Sequence, residues 1–325
     1  MIISRTPYRI SLFGGGTDFP AWYNNHGGHC ISFTFDKYSY ITARHLAPFF
    51  PHTYRVSYSK IELAKRVEDI QHPAFREAIR LFTHGGVEAQ HHGDLPARSG
   101  LGSSSAFAVG IIHALKKLSD IDIVKSDLAN EAINFEQVVL QENVGCQDQI
   151  ACSLGGLNSI RFQSGDNWHA SKINLSSQQL TSFESHMVLV YSGVQRISSH
   201  ISQPLLKSFT EKQSVLLRIA ELASECERVF ESSECDFLQI GDLLEESWYL
   251  KKESNPLAIN SSLQEIYNFA KSKGALSGKV LGAGGGGFML FWCRPENQLK
   301  LMNEFKRQKY LIVPFKVEFQ GSTLI

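Results

Sequence analysis

The sequence predicts a protein of mixed helices and strands divided into two domains. Its 325 residues, of which 43% are hydrophobic, are enough for one large or two ordinary domains. Strand-like and helix-like stretches occur in both halves, and the second half is mainly helical up to Gly274. A strand-like stretch at residues 187–191 opens the second domain. We therefore divide the chain into domains 1–175 and 176–325.

The elements of the first domain follow from the spacing of apolar residues. Ile10 and Leu12 alternate onto one face of a strand that breaks at Gly14, where a tight loop begins. Apolar residues recur in helical register over residues 126–142, with Ser126 as the N-cap. Strands are predicted at 2–13, 30–46 (as one or two strands), 55–58, 87–92 and 157–162, and helices at 74–82, 104–118 and 126–142.

The second domain follows a polar, turn-rich crossover at residues 163–177. Strands are predicted at 187–191 and 315–319, and two more strand-like runs joined through glycines are predicted within 278–292. Helices are predicted at 205–230, 237–251, 263–273 and 299–309. Gly282, Gly284 and Gly287 match the Gly-x-Gly-x-x-Gly pattern of dinucleotide-binding loops. A strand rather than a helix follows them, so we reject that function.

Composition excludes several classes of partner. Lys plus Arg and Asp plus Glu both number 32, so net charge gives no basis for binding nucleic acid or an anionic membrane. No apolar run approaches the roughly 20 residues of a membrane helix. The six cysteines lack zinc spacing, and the N-terminus lacks a signal-peptide layout. We expect reduced cysteines, a cytoplasmic location, and no nucleic-acid or membrane partner.

Residues 94–110 are predicted to form a phosphate-binding loop. Gly100 and Gly102 let the backbone approach a ligand closely, and Ser103, Ser104 and Ser105 supply hydroxyl groups and a helix N-cap. Apolar residues at helical spacing follow, so free N–H groups and the positive end of the helix dipole face the loop. The alternative is a small-residue turn before an ordinary core helix. No Walker A pattern is present, because no Lys-Ser or Lys-Thr pair follows Gly102.

Three stretches together resemble the GHMP small-molecule kinases, such as galactokinase, homoserine kinase, mevalonate kinase and phosphomevalonate kinase. They are Pro7-Tyr-Arg-Ile-Ser-Leu-Phe-Gly-Gly-Gly-Thr-Asp18, Leu95-Pro-Ala-Arg-Ser-Gly-Leu-Gly-Ser-Ser-Ser-Ala106 and Lys279-Val-Leu-Gly-Ala-Gly-Gly-Gly-Gly-Phe288. Their order and spacing agree with the family across nearly the whole chain. The resemblance implies an α+β fold with a ribosomal-protein-like N-terminal α/β domain and a ferredoxin-like C-terminal α/β domain. ATP would lie in the cleft between them.

The resemblance also implies roles for individual residues. Ser104 and Glu136 match the family's ligands of Mg²⁺, a cation that prefers hard oxygen ligands. Asp148 matches the proposed catalytic base, and Arg9 the cation beside it. From the residues alone, Glu136 would be an exposed helix acid, and Asp148 would cap a helix and pair with Arg9. The implied ATP-binding residues are Arg98, Ser99, Gly100, Leu101, Gly102, Ser103, Ser104 and Ser105.

The acceptor pocket differs from that of galactokinases, which carry Gly-Glu-His-Thr-Asp where this chain has residues 14–18, Gly-Gly-Gly-Thr-Asp. Two side chains are missing, which leaves room for a longer sugar, while Asp18 suits hydroxyl recognition. The whole pattern looks most like the D-glycero-D-manno-heptose 7-phosphate kinases. These phosphorylate the anomeric hydroxyl on the route to nucleotide-activated heptose for bacterial surface polysaccharides. The implied substrate-binding residues are Gly15, Gly16, Thr17, Asp18, Arg196, Gly284 and Gly285.

A sugar phosphate as the partner requires a cationic seat for its distal phosphate. The candidates are Arg196, Arg44, Arg98 and Lys279, each of which could equally be an ordinary surface charge. Two alternatives stay open: a kinase for an unphosphorylated sugar such as fucose, and a non-catalytic sugar and nucleotide sensor. The presence of Asp148 argues against a sensor, which has no need of a base. We expect a monomer or a homodimer.

Overall fold

The structure is a computed structural model that describes residues 1–165, 167–194 and 211–325. Its strands are β1 (Ile2–Phe13), β2 (Gly28–His45), β3 (Tyr54–Ser57), β4 (Ile61–Ala64), β5 (Val87–Gly93), β6 (Leu157–Gln163), β7 (Asn167–Lys172), β8 (Met187–Tyr191), β9 (Ala275–Val280), β10 (Phe288–Cys293), β11 (Leu311–Ile312) and β12 (Thr323–Leu324). Its helices are α1 (Pro20–His26), α2 (Pro73–Phe82), α3 (Ser103–Leu118), α4 (Lys125–Asn134), α5 (Gln147–Leu154), α6 (Ser177–Ser185), α7 (Gln213–Glu231), α8 (Leu238–Ser254), α9 (Ser261–Ser272) and α10 (Gln298–Arg307). A π-helical turn at Phe135–Val139 follows α4.

The long strand β2 organises the first sheet. β1 pairs antiparallel with β2 along most of its length, and the other edge of β2 pairs with β6 near its start and with β5 near its end. The sheet runs in the order β12-β1-β2-β5-β3-β4, with β7 beyond β6. Pro7, which has no N–H to donate, lies at a register shift in β1. Helices α3 and α7 both pack against β1 and β2.

The second sheet is antiparallel, in the order β11-β8-β10-β9, and shares its core with the first. One buried apolar cluster contains Ile10 and Phe33 from the first sheet and Leu189 and Leu290 from the second. Helices α8 and α9 pack on β9. The fold confirms the predicted α+β class, and the shared core joins the two halves.

The end of the chain returns to the first sheet. β12 pairs with β1 through Ser4 and Arg5, and Val317 forms an isolated bridge with Phe35. The predicted second domain therefore includes residues that complete the first sheet. A domain boundary after residue 175 stays a prediction.

Two predictions in polar or aromatic stretches are wrong: one strand was missed, and one predicted strand is not formed. The predicted crossover contains β7, whose mostly exposed side chains give no apolar alternation. The predicted strand at 315–319 makes only the Val317 bridge, and the Phe315 ring packs against Phe33 and Phe35. Apolar residues in this stretch fill the core without forming a ladder.

Helix ends also differ from the predictions. Ser126 lies inside α4, whose N-cap is Val124, and the helical register changes to the π turn before residue 142. Of the predicted helix at 205–230, the described part begins with α7, and residues 205–210 lie outside the described residues. None of the described helices combines the length and the apolar character needed to cross a membrane.

Candidate active site

A cavity of about 1440 Å³ lies where the three predicted stretches meet. Its wall includes Arg9 and Asp18 from the first stretch, Ser104 from the second, and Lys279 from the third. The sheet pairing and the shared core bring together residues that are far apart in sequence. The cavity therefore has contributions from both halves of the chain, as the sequence predicts.

The phosphate-binding loop ends in a glycine N-cap. Gly102 has φ 72° and ψ 28°, the left-handed conformation, and directly precedes α3 without a side-chain capping bond. The prediction that a serine caps this helix is therefore wrong. Instead, the Ser103 hydroxyl accepts a hydrogen bond from the Arg98 N–H at 3.2 Å. The first N–H groups of this 16-residue helix have no side-chain cap, the arrangement found at helix termini that bind anions.

The glycine-rich third stretch supports the phosphate-binding loop from behind. Gly100 has φ +85°, and a Cβ there would lie 2.3 Å from the Leu281 carbonyl oxygen. A Cβ on Gly287, at φ +83°, would lie 2.2 Å from the carbonyl oxygen of Ser99. Phe288 N–H donates to the same Ser99 oxygen at 3.0 Å. Glycine is needed because the two backbones touch.

Some predicted site residues do not reach the cavity. Gly284 and Gly285 instead contact Ala258: a Cβ on Gly284 would lie 2.5 Å from the Ala258 oxygen, to which Gly285 N–H donates at 2.7 Å. The predicted residues that do not line the cavity are Thr17, Ser99, Leu101, Gly284 and Gly285. Their positions fit a supporting role. Arg196 lies outside the described residues.

Arg9 and Asp148 form a bidentate ion pair at the cavity wall. Arg9 Nε and Nη2 donate to the two Asp148 carboxylate oxygens at 2.6 and 2.5 Å, and Nη1 donates to the Gly100 oxygen at 2.7 Å. Burial alone lowers the pKa of Arg9, but its interaction with Asp148 outweighs burial and raises it. The N-cap of α5 is Cys146, so Asp148 does not cap that helix. The pair fixes a carboxylate next to the phosphate-binding loop.

Glu136 lies fully buried in the π turn. Its oxygens accept hydrogen bonds from the hydroxyls of Ser104 and Ser105 at 2.7 and 2.6 Å, and from Gln149 Nε2 at 2.6 Å. Burial raises the pKa of Glu136 to about 7, against the lowering effect of these hydrogen bonds. π turns are frequent at functional sites. An exposed helix acid, the alternative from sequence, is excluded.

Asp18 is a second buried carboxylate in the wall. Gly16 N–H donates to Asp18 Oδ1 at 3.0 Å, and Gln147 N–H donates to Oδ2 at 3.3 Å. Burial, together with repulsion by Asp148, raises the pKa of Asp18 to about 6. Backbone donors from the loop after β1 and from the start of α5 therefore hold this carboxylate in place.

Aromatic and histidine side chains line another part of the cavity. The ring centroids of His91 and Phe107 are 5.1 Å apart, and those of Tyr58 and His72 are 4.7 Å apart. Burial, with repulsion by His92 and His72, lowers the pKa of His91 to about 4, so this imidazole is neutral near pH 7. Its neighbour His92 is exposed, whereas His91 is half-buried.

The candidate cations divide by position. Arg98 and Lys279 line the cavity, whereas Arg44 lies in a separate surface pocket and pairs with Glu88. Sequence analysis missed Lys251, a cavity residue on α8. It lies in a run of charged residues near a helix end, which is ordinarily a solvent-exposed pattern. Among the described residues, no group of three or more His, Cys, Asp and Glu side chains could hold a metal.

Family comparisons agree with the fold and the cavity. The model of the N-terminal domain of GHMP kinases matches residues 60–156, and the model of their C-terminal domain matches residues 232–310, together a little over half of the chain. The phosphate-binding loop and both domain matches define an ATP-dependent phosphotransferase. The chain belongs to the GHMP kinases, and the predictions of family, fold class and enzyme type are confirmed.

Individual relatives include several sugar kinases. The chain is 26% identical to D-glycero-alpha-D-manno-heptose 7-phosphate kinase of Campylobacter jejuni, covering 98% of this chain and 97% of that protein. It is 24% identical to the bifunctional fucokinase/GDP-fucose pyrophosphorylase of Arabidopsis thaliana over 67% of this chain and 21% of that protein. The crystal structure of a D-glycero-D-manno-heptose 1-phosphate kinase from Bacteroides thetaiotaomicron superposes with a TM-score of 0.81 at 20% identity, covering 100% and 99% of the two chains. The last comparison shows the shared fold.

Proposed function

We propose that this chain is a sugar kinase that transfers the γ-phosphoryl group of ATP to the anomeric hydroxyl of D-glycero-D-manno-heptose 7-phosphate. The product would be the 1,7-bisphosphate, a precursor of nucleotide-activated heptose. The observation that carries the proposal is the Arg9–Asp148 pair, which faces the cavity beside the phosphate-binding loop. The Campylobacter relative supports the choice of acceptor.

ATP would bind with its phosphates over residues 98–105. The helix terminus at Gly102 offers N–H donors and a positive dipole end, and Arg98 adds a cation at the cavity wall. Within this loop, Ser99 and Leu101 are fully buried, so we propose that they support the loop rather than contact ATP. The part of the cavity lined by Tyr58, His72 and His91 would then be available to the adenine ring of ATP.

Ser104 and Glu136 would hold Mg²⁺. Their side-chain oxygens are 2.7 Å apart, and both residues line the cavity at the phosphate-binding loop. Two hard oxygen donors suit Mg²⁺, which usually takes one or two protein ligands together with substrate phosphates. When bound, the metal would neutralise charge on the transferring phosphates. Glu136 must be ionised to bind it, although burial holds the pKa of its carboxyl near 7.

Asp148 would accept the proton of the attacking hydroxyl. Each carboxylate oxygen has two lone pairs, so its bidentate pairing with Arg9 leaves acceptor capacity toward the cavity. The guanidinium holds the carboxylate in place and would stabilise charge during transfer. Because phosphoryl transfer has a loose transition state, positioning and charge neutralisation contribute more than proton removal.

Asp18 would bind an acceptor hydroxyl, with Gly15 and Gly16 leaving space for the sugar. Asp18 is only 3% exposed, and backbone N–H groups hold its carboxylate at the cavity wall. A hydroxyl donating to this carboxylate would place the sugar between Asp18 and Asp148. A side chain at Gly15 would enter the same space, where its Cβ would lie 3.5 Å from Ser11 Oγ and 3.6 Å from Gln147 Nε2.

A kinase for an unphosphorylated sugar is the second candidate function. The Arabidopsis relative carries fucokinase in its name, and its similarity covers two thirds of this chain. The cavity residues assigned to ATP, and Asp148 as the catalytic base, would serve either acceptor equally well. The two functions therefore differ in the acceptor, above all in whether it carries a distal phosphate.

The test is coupled ATP turnover with Mg²⁺ against mannoheptose 7-phosphate, mannose 6-phosphate, mannose, fucose and galactose, with Asp148→Asn as the control for contaminating kinases. We expect turnover with the phosphorylated heptose that is lost in the control. Turnover confined to a plain sugar would reject the heptose and retain the kinase. Nucleotide binding without turnover of any acceptor would favour a sensor.

A further inference from the structure

Two lysines form part of the cavity wall. Lys279 lies on β9, and Lys251 lies on α8, so both come from the second half of the chain. Lys279 is only 7% exposed, and Lys251 is half-buried. Both line the same cavity as Arg9.

The contacts of these lysines leave hydrogen-bond donors unused. Lys279 Nζ donates to the Leu12 carbonyl oxygen at 2.6 Å, and Lys251 Nζ donates to the carbonyl oxygens of Val280 and Gly282. An ammonium group has three N–H donors. Two remain on Lys279 and one on Lys251, which together match the three oxygens of a phosphoryl group.

Neither lysine has a counter-charge in the described part of the chain. Neither forms a salt bridge with a described carboxylate. The carboxylate of Asp148 is already paired with Arg9 through two hydrogen bonds. Burial, followed by repulsion from Arg9, lowers the pKa of Lys251 to about 8. Burial and repulsion by Lys251 and Arg9 lower the pKa of Lys279 well below its ordinary value. Buried cations are normally paired, so this wall favours an anionic ligand.

We propose that Lys251 and Lys279 together form a seat for a phosphoryl group. Two sources of that group fit: the distal phosphate of a sugar phosphate acceptor and the phosphoryl group that leaves ATP. The first source rests on the proposed function. A bound phosphoryl dianion would favour the charged form of both lysines and would accept hydrogen bonds from their free N–H groups.

Steady-state kinetics of Lys279→Met and Lys251→Met test the seat and separate the two sources. The matched control is Lys252→Met, which removes an exposed lysine from the same helix, outside the cavity. If the acceptor's phosphate occupies the seat, KM for heptose 7-phosphate rises about 10- to 100-fold while KM for ATP is unchanged. If the ATP phosphoryl group occupies it, kcat falls or KM for ATP rises by a similar factor. Kinetics like those of the control would overturn the proposal.

A binding measurement tests the seat independently of the acceptor's identity. Inorganic phosphate is titrated at constant ionic strength while the midpoint of thermal unfolding is followed. We expect the wild type and Lys252→Met to respond at the same phosphate concentration, and Lys279→Met to require about 10-fold more. Lys279→Gln, which keeps a donor for the Leu12 oxygen, replaces the methionine variant if that protein does not fold.

The two experiments fail in different ways. If the wild type does not phosphorylate heptose 7-phosphate, the proposed function fails while the phosphate titration still decides the seat. Identical phosphate responses in the wild type, Lys279→Met and Lys279→Gln would reject the seat even if heptose 7-phosphate is the acceptor.

Discussion

The carboxylates of the cavity wall, here called the carboxylate side, and its two lysines, here called the lysine side, differ in their hydrogen-bond partners. Glu136 accepts three hydrogen bonds, and Asp148 shares two with Arg9. Lys251 and Lys279 donate only to backbone carbonyl oxygens among the described residues. The carboxylate side is therefore complete in the free protein, whereas the lysine side lacks an anion that a substrate can supply.

Removing the central carboxylate should give the largest effect. We expect Asp148→Asn to lose on the order of 100- to 10,000-fold in turnover, the range for loss of a general base. The amide cannot accept the proton and leaves Arg9 without its buried counter-charge. The measurement is kcat with saturating ATP and acceptor, together with circular dichroism to verify that the variant is folded. Near-normal turnover in a folded variant would reject Asp148 as the base.

The raised pKa of Glu136 should appear as a pH dependence of stability. Burial raises this pKa from 4.5 to about 7, so the native protein holds a proton that the unfolded chain releases. The contribution is present below about pH 4.5 and is lost as pH rises to about 7, with a total on the order of 3 kcal/mol. Urea unfolding without Mg²⁺ at several pH values measures it.

Glu136→Gln is the comparison for that pH series. The variant cannot titrate at this position, so its free energy of unfolding should fall less between pH 4.5 and 7 than that of the wild type. Asp18, whose pKa burial raises to about 6, contributes a slope of the same sign to both proteins. Parallel stability curves would show that Glu136 does not titrate in this range.

The same substitution tests the metal site. With one charged ligand removed, we expect the Mg²⁺ concentration for half-maximal activity to rise about 10- to 100-fold. In the wild type this concentration should also rise as pH falls below about 7, because a protonated Glu136 cannot bind the cation. An unchanged Mg²⁺ requirement in Glu136→Gln would place the metal elsewhere.

Much of the carboxylate side could be predicted from the sequence, because its residues lie within or near motifs. The glycines and serines of the phosphate-binding loop, Arg9 and Asp148 have fixed spacings. Strands with strong apolar patterns were also predictable, and the bounds of β1 and β8 agree with the prediction. Local sequence is informative where the same residues determine both the backbone and the chemistry.

The lysine side could be predicted only in part: Lys279 begins the third motif and was among the candidate cations, whereas Lys251 was missed. Lys251 lies beside Lys252 in a helix, and only tertiary packing turns one toward the cavity and the other toward solvent. Strand β7 was missed for a related reason, since its mostly exposed side chains lack the alternation that marks a half-buried strand. The burial of a single side chain depends on which distant segment packs against it, so the surrounding sequence predicts it poorly.

A cation outside the cavity should give the smallest effect and sharpen the contrast with the lysines. Arg44 shares Glu88 with Arg55, and its side chain is 49% exposed. Glu88 itself is buried, but Arg55 still pairs with it when the half-exposed Arg44 is removed, so the loss should be in the range of about 0–1 kcal/mol typical of exposed ion pairs. We therefore expect Arg44→Gln to change the free energy of unfolding by at most about 1 kcal/mol and to leave KM for heptose 7-phosphate unchanged. A rise in that KM comparable to the one expected for Lys279→Met would mean that the acceptor's phosphate reaches the Arg44 pocket, and would move the anion seat away from the lysines.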